Sequence, residues 1–245
     1  MTIPWLTDDP RLFPPVATAL TEPNGLLAVG GDLSPERLLN AYCHGIFPWF
    51  NDDDPILWWS PDPRAVLIPS DIHGSKSLKK FIRKTAPKVS FDQCFDRVIG
   101  HCRGLRKHCE GTWITDDMEQ AYNVLHEMGC AHSVEVWLDD ELIGGLYGIS
   151  IGKVFFGESM FSLAPNGSKI AALALAQRLN DEGFALIDCQ VESEHILSLG
   201  AKIIPRADFI QQLTAALTIS SEMDWPQLAS VFEFNEISRG RSCQI

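Results

Sequence analysis

Three strand-like segments in close succession constrain this chain more than any other feature. Ser133 to Trp137 alternates, with Val134 and Val136 on one face. Asp139-Asp140-Glu141 is a polar turn. Leu142 to Ile151 continues as a strand, interrupted by Gly144, Gly145 and Gly148. Gly152-Lys153 turns again, and Val154 to Gly157 returns. Connections this short permit only antiparallel hairpins. The periodicity then changes. Asn166 to Glu182 reads as an alanine-rich, largely buried helix, and Phe184 to Gln190 as an apolar strand ending in polar residues. A short helix runs to Leu199, a strand lies around Ile203-Ile204, and a helix starts at Arg206. This order predicts an α+β domain with a mixed sheet.

Upstream, the first sixty or so residues are rich in proline and tryptophan and read as a compact unit. Ser34-Pro35-Glu36 opens a helix, with serine as cap and proline at the first position. Leu38, Leu39 and Tyr42 supply its apolar face, and Gly45 is placed to end it. Pro61 and Pro63 make an extended passage, which predicts a small N-terminal domain over residues 1–63 and a larger one over residues 64–245. Arg64 to Pro69 reads as a strand. Ser75 to Thr85 and Thr115 to Met128 read as helices, the second with acids at its N-terminus, where they suit the helix dipole.

The 245 residues are 45% apolar and 21% charged, enough to bury a sizeable core and too few charges for a disordered chain. The first ten residues lack the basic start and apolar run of a secretory signal. The most apolar stretch, Leu142 to Gly152, is too short and glycine-rich to span a bilayer. Together these predict a soluble, cytoplasmic protein with no membrane partner. The seven cysteines are odd in number and form no CxxC pair, which argues against a disulfide framework or a zinc ribbon. His101-Cys102 and His108-Cys109 lack the closer, more regular spacing usual for zinc ligands, so no metal is expected and the thiols read as reduced and mostly buried.

A net charge of -12 by itself argues against nucleic acid, but the local distribution does not. Between Ile72 and Phe91 there is no acidic residue. Lys76, Lys79, Lys80, Arg83 and Lys84 fall on one helical face, with Leu78, Phe81 and Ile82 opposite. Arg97, Arg103, Arg106 and Lys107 add positive charge nearby, and Lys88 closes the stretch. Solvated faces usually mix signs. One-signed charge on an acidic protein predicts contact with a phosphate backbone, in the manner of an RNA stem read by shape.

The apolar strand ending in Asp188-Cys189-Gln190 is the first candidate for chemistry. Residues two apart on a strand share a face, so Asp188 and Gln190 are expected to point the same way, where a carboxylate and an amide could orient an amine. The plainer reading is a strand end capped by polar groups. The second candidate is Phe155-Phe156-Gly157-Glu158-Ser159-Met160-Phe161, a carboxylate at the rim of an apolar pocket, with methionine adaptable to differently shaped ligands. Trp49 and Trp113, both flanked by turn-like residues, are candidates for stacking on a base.

The predicted element order resembles the acetyltransferase-like fold. Its usual acetyl-CoA cradle would fall at Asn166-Gly167-Ser168-Lys169, where one glycine is a weak phosphate site. An acyltransferase using a thioester carrier such as acetyl-CoA is therefore the rival reading. The longer motifs point elsewhere. They are Glu22-Pro23-Asn24-Gly25-Leu26-Leu27-Ala28-Val29-Gly30-Gly31-Asp32-Leu33, His44-Gly45-Ile46-Phe47-Pro48-Trp49 and Trp58-Trp59-Ser60-Pro61. They continue with Gly111-Thr112-Trp113-Ile114-Thr115, Gly157-Glu158-Ser159-Met160-Phe161-Ser162, Ile187-Asp188-Cys189-Gln190 and Leu199-Gly200-Ala201. In that order, from about Phe13 to about Phe209, the sequence resembles the bacterial leucyl/phenylalanyl-tRNA–protein transferases.

The resemblance implies transfer of leucine or phenylalanine, and less readily methionine, from aminoacyl-tRNA to proteins beginning with arginine or lysine. Those proteins are thereby marked for degradation. It implies a monomer that needs no cofactor. Trp49, Trp113, Phe155, Gly157, Glu158, Ser159 and Met160 would surround the aminoacyl-adenosine end. Asp188 and Gln190 would be the catalytic or positioning pair, and the basic helix would meet the acceptor stem. The family often has methionine where this chain has Leu146. An ester donor needs neither ATP nor metal to acylate an amine, so the demands are positioning, deprotonation and oxyanion stabilisation.

Overall fold

A computed structural model describes residues 3–106, 114–221 and 223–234. The N-terminal part carries β1 (Leu26–Val29), α1 (Pro35–Cys43), β2 (Phe47–Pro48) and β3 (Leu57–Trp59). Its three strands pair antiparallel in the order β1-β3-β2. The Ser34 side chain accepts from the Arg37 amide, and Gly45, at φ 72°, turns the chain after the helix. Both match the punctuation read from the sequence.

The rest of the chain builds one large sheet. Its elements are β4 (Arg64–Leu67), α2 (Lys76–Thr85), β5 (Lys88–Phe91), α3 (Phe95–Arg106), α4 (Asp116–Glu127), β6 (Ala131–Leu138), β7 (Glu141–Ile151) and β8 (Val154–Ser162). After them come α5 (Gly167–Asp181), β9 (Leu186–Gln190), α6 (Glu194–Leu197), β10 (Lys202–Ile204), α7 (Arg206–Leu217) and β11 (Gln227–Val231). Eight strands run in the order β10-β4-β9-β8-β7-β6-β5-β11. All neighbours are antiparallel except β8 and β9, which are parallel and joined through α5. This is the mixed α+β sheet expected from hairpins followed by helix, strand, helix and strand. β8 runs to Ser162, well past the expected end at Gly157. β1, β2, β3, β5, α3 and β11 are additions to the expected elements.

Alternation along the strands divides the core between the two faces of the large sheet. Leu146, Phe155 and Ile187 pack with Leu78 and Ile82 of α2 and the alanine-rich α5. Tyr147, Phe156 and Leu186 face the other way, with Tyr42, Trp58, Phe95, Tyr122 and Phe209. That second cluster runs without a break from the small sheet into the large one. Gly144 has a packing role: a Cβ there would meet the Gly167 backbone at 2.5 Å, so the start of α5 lies directly on β7.

Candidate active site

The cavity arises where the two parallel strands part. β8 and β9 pair at Val154/Leu186, Phe155/Ile187 and Phe156/Asp188, and no further. Beyond that point β8 continues with Gly157, Glu158, Ser159 and Met160, while β9 leaves with Cys189, Gln190 and Val191. All of these line a cavity of about 380 Å³. Its deep walls are apolar and come from separate elements, among them Leu67, Leu146, Phe155, Leu175 and Leu199. At the mouth, Trp49 is 44% exposed. Its ring lies 5.7 Å from that of Trp59, whose indole donates to the Trp49 carbonyl at 2.7 Å.

Six of the expected aminoacyl-site residues therefore share one cavity: Trp49, Phe155, Gly157, Glu158, Ser159 and Met160. Trp113 lies outside the described residues, as do Lys107, His108, Cys109 and Cys243. Ser159 is buried, and its hydroxyl has no hydrogen-bond partner among the described residues. Gly157 has ordinary space, since a Cβ there would meet the Asp188 carbonyl at 3.6 Å.

Asp188 and Gln190 do not share a face. Asp188 is fully buried on the side of the sheet away from α5. Arg64 reaches it with two bonds, Nε to Oδ1 at 2.8 Å and Nη2 to Oδ2 at 2.6 Å. The third guanidinium nitrogen donates to the Gly45 carbonyl at 3.1 Å, and the Phe47 and Phe209 rings flank the group at 5.0 and 4.6 Å. Gln190 instead lines the cavity. Its φ of 56° departs from extended backbone and breaks the alternation that the sequence suggested. The two residues still touch, because the Gln190 amide donates to Asp188 Oδ1 at 3.0 Å. Asp188 thus fixes the backbone turn that aims Gln190.

Glu158 has different company. Its Oε2 accepts from the Tyr122 hydroxyl at 2.8 Å, and the Tyr122 and Tyr42 hydroxyls are 2.6 Å apart. Its Oε1 has only a long 3.4 Å contact from the Gln190 side-chain amide. Burial pushes the Glu158 carboxyl up to about 7; the Tyr122 and Tyr42 hydroxyls pull it back, the Asp188 charge adds to the rise, and Arg64 opposes it. Cys189, beside it in the cavity, is pushed by burial up to about 12 and stays a thiol. His195, also on the cavity wall, has its pKa lowered by burial and by the Lys169 charge. Arg64, Tyr42, Tyr122 and His195 escaped the sequence reading. A signal existed for the first: an arginine opening the apolar run Arg64-Ala65-Val66-Leu67 and an aspartate within another apolar strand call for each other.

The basic helix has the expected form. The Ser75 side chain caps α2, and Leu78 and Ile82 are buried beneath it. Lys76, Lys80, Arg83 and Lys84 are exposed and form no ion pair among the described residues, while Lys79 leans over the Phe234 ring at 5.3 Å. At the start of α5, where a thioester carrier would bind, a Cβ on Gly167 would meet the Ile143 carbonyl at 2.4 Å. The Ser168 amide is already taken by the Ser162 hydroxyl at 2.8 Å. That glycine serves close packing on β7. Among the described residues, no group of three or more acidic, histidine or cysteine side chains could hold a metal ion, and no helix is long and apolar enough to cross a membrane.

Residues 66–214 match the family described as leucyl/phenylalanyl-tRNA protein transferase, and residues 31–62 match the N-terminal domain of the same family. The leucyl/phenylalanyl-tRNA–protein transferase of Ectopseudomonas mendocina (strain ymp) is 55% identical over 221 residues, 90% of this chain and 98% of that protein. The corresponding protein of Nitrosospira multiformis is 58% identical over 211 residues, 86% of this chain and 90% of that one. Among solved structures, an aminoglycoside acetyltransferase from an uncultured soil metagenomic sample aligns at a TM-score of 0.37 and 13% identity, over 62% of this chain and 99% of that one. A conserved protein from Staphylococcus epidermidis aligns at 0.42 and 11%, over 74% and 68%.

The class is that of an aminoacyltransferase, an enzyme that moves an amino acid from tRNA onto protein. The chain belongs to the leucyl/phenylalanyl-tRNA–protein transferase family, so leucine and phenylalanine are the amino acids moved.

Proposed function

We propose that the cavity between β8 and β9 receives the aminoacyl-adenosine end of the tRNA and that Glu158 and Gln190 receive the acceptor's N-terminal residue. The observation that carries this reading is the cavity itself: deep apolar walls, and a carboxylate with an amide at one end. Leucine, phenylalanine and, less readily, methionine fit such walls, and Met160 can adapt to each. Trp49 stacks on the terminal adenine, Trp113 joins it, and the unpartnered Ser159 hydroxyl meets a polar atom of the aminoacyl ester. Phe155 and Gly157 shape the wall.

The acceptor is a protein beginning with arginine or lysine, whose positive side chain or α-ammonium group is drawn to Glu158. Gln190 orients the α-amine beside the ester carbonyl. Asp188 acts as a positioning residue, because its carboxylate is held by Arg64 and touches Gln190 only through the backbone. The amine attacks the ester carbon, the new amide bond forms, and the tRNA's terminal ribose oxygen leaves with a proton. The Lys76, Lys79, Lys80, Arg83 and Lys84 face lies against the acceptor stem. We assign residues 1–63 and 64–245 to two domains of a cytoplasmic, monomeric enzyme that marks its acceptors for degradation.

Single-turnover transfer from leucyl-tRNA to peptides beginning with Arg, Lys or Ala tests the reading, with tRNA binding measured separately. Gln190→Ala and Glu158→Gln should slow transfer to the first two peptides by about a hundredfold or more while tRNA affinity holds. Near-normal rates in both variants would end the assignment. Reversing Lys80 and Arg83 to glutamate should weaken tRNA binding and flatten its dependence on salt; unchanged affinity and slope would mean the face is merely solvated.

A further inference from the structure

We propose that Tyr122, with Tyr42 behind it, forms a positioning pair for the transfer reaction: the two hydroxyls favour the ionised form of the Glu158 carboxylate and aim it at the acceptor's cation. The inference rests on the reading that Glu158 meets the acceptor.

Its geometric basis is a chain of short hydrogen bonds that ends on one carboxylate oxygen. Tyr42 on α1 and Tyr122 on α4 are both almost wholly buried and stand 80 residues apart in the chain. An ionised carboxylate can only accept, so the single Tyr122 proton goes to Glu158 Oε2 at 2.8 Å. The Tyr122 oxygen is then the acceptor for the Tyr42 proton at 2.6 Å. Burial holds both phenols far above their ordinary pKa, so they remain donors wherever the enzyme works. Two phenylalanines would fill the same core without leaving hydroxyls to satisfy. A relay of donors favours an anion at its end.

The other groups facing Glu158 leave it one free side. Behind it, Asp188 and Arg64 neutralise each other, and the Gln190 amide approaches Oε1 at only 3.4 Å. Tyr147 on β7 lies against Tyr122, its ring 5.4 Å away, and His195 stands on the cavity wall. Glu158 forms no salt bridge among the described residues. Its Oε2 is anchored while Oε1 remains for an incoming cation. Burial works against the charge, and the two hydroxyls offset part of it. Without them the carboxyl would be more fully protonated near pH 7 and would attract a cation less.

The test compares kcat/KM for an arginine-leading peptide between about pH 6 and pH 9, the span around the carboxyl and α-amine transitions. Wild type, Tyr122→Phe, Tyr42→Phe and Glu158→Gln are measured with one peptide, so the acceptor's own amine titrates identically in all four. Tyr122→Phe should move the lower inflection up by about one to two pH units, the value of a hydrogen bond to a charged group. Near pH 7 it should lose roughly fivefold to fiftyfold in kcat/KM, through the peptide KM, and recover at higher pH. Tyr42→Phe should give a smaller shift in the same direction, and it carries the test alone if Tyr122→Phe does not fold. The KM for tRNA should not move. A profile superimposable on wild type, or a uniform loss at every pH, overturns the inference. Wild-type transfer by Glu158→Gln would instead remove the underlying reading of Glu158.

Discussion

Asp188 and Glu158 are carboxylates on adjacent parallel strands, and the protein treats them in opposite ways. Asp188 is sealed behind the sheet with a guanidinium matched to both oxygens and aromatic rings on either side of that guanidinium. Glu158 opens on the cavity with phenols and an amide as neighbours. A fixed cation makes a carboxylate a structural bolt. Neutral donors favour its charged form yet leave its field unspent. The difference teaches where a cationic substrate can be met: only the second carboxylate has attraction left to offer.

Breaking the bolt should have the largest effect. Arg64→Met would strand the Asp188 charge in the core and lower stability by about 3–5 kcal/mol in urea unfolding at neutral pH. Adding Asp188→Leu should restore most of it, since two apolar residues need no compensation. Failure of the double variant to recover would mean that Arg64 acts chiefly through Gly45 and the rings.

The pH dependence of stability is the next sharpest contrast. The folded Glu158 pKa, about 7, lies above its ordinary 4.5, so the folded state holds this proton more tightly than the unfolded chain. Stability attached to Glu158 is therefore full at acid pH, declines as pH rises from about 4.5 to 7, and is level beyond. The decline is at most about 3 kcal/mol. In Glu158→Gln it should vanish, and unfolding midpoints of wild type and variant between those pH values would reveal it. Equal slopes would place Glu158 with Asp188 after all.

Glu135 extends the comparison, because it too has neutral donors but no cavity. It is fully buried and accepts from the Ser90 and Ser133 hydroxyls, each at 2.5 Å. Ser90→Ala should cost about 1–3 kcal/mol in thermal unfolding and leave the transfer rate unchanged. The smallest effect belongs to the exposed pair Lys88–Asp140 at 3.0 Å. Lys88→Gln should change stability by less than about 1 kcal/mol, and that only at low salt.

The parts legible in the sequence were those governed by local periodicity. The basic face of α2, the cap at Ser34, the helix starts at Ser75 and Thr115, the hairpins of β6 to β8 and the buried α5 all follow from spacing within a dozen residues or so. β5 was missed because four residues after Pro87 carry too little pattern. α3 was missed because Gly100 and Gly104 dilute its apolar stripe, so its arginines read as loose charge. β1 and β3 are four- and three-residue runs that acquire meaning only by pairing. At the site, the residues at the mouth were found through their motifs. Of the deep walls Phe155 was found in the same way, but Leu67 and Leu175 were not, since they come from separate elements. The shared face of Asp188 and Gln190 failed for a local reason with a distant cause. The left-handed turn at Gln190 is held by Asp188, whose orientation depends on an arginine 124 residues earlier.

The unbroken cluster joining the small sheet to the large one has a consequence for how the molecule comes apart. Tyr42, Trp58 and Phe47 share one apolar body with Tyr122, Phe156 and Phe209. Neither sheet can lose its partner without wetting the same side chains. Heating should thus melt both together in a single cooperative transition. A cut near residue 63 would release two fragments with exposed cores rather than two working halves, and the α1 tyrosine that the acceptor end of the site depends on would leave with the smaller one.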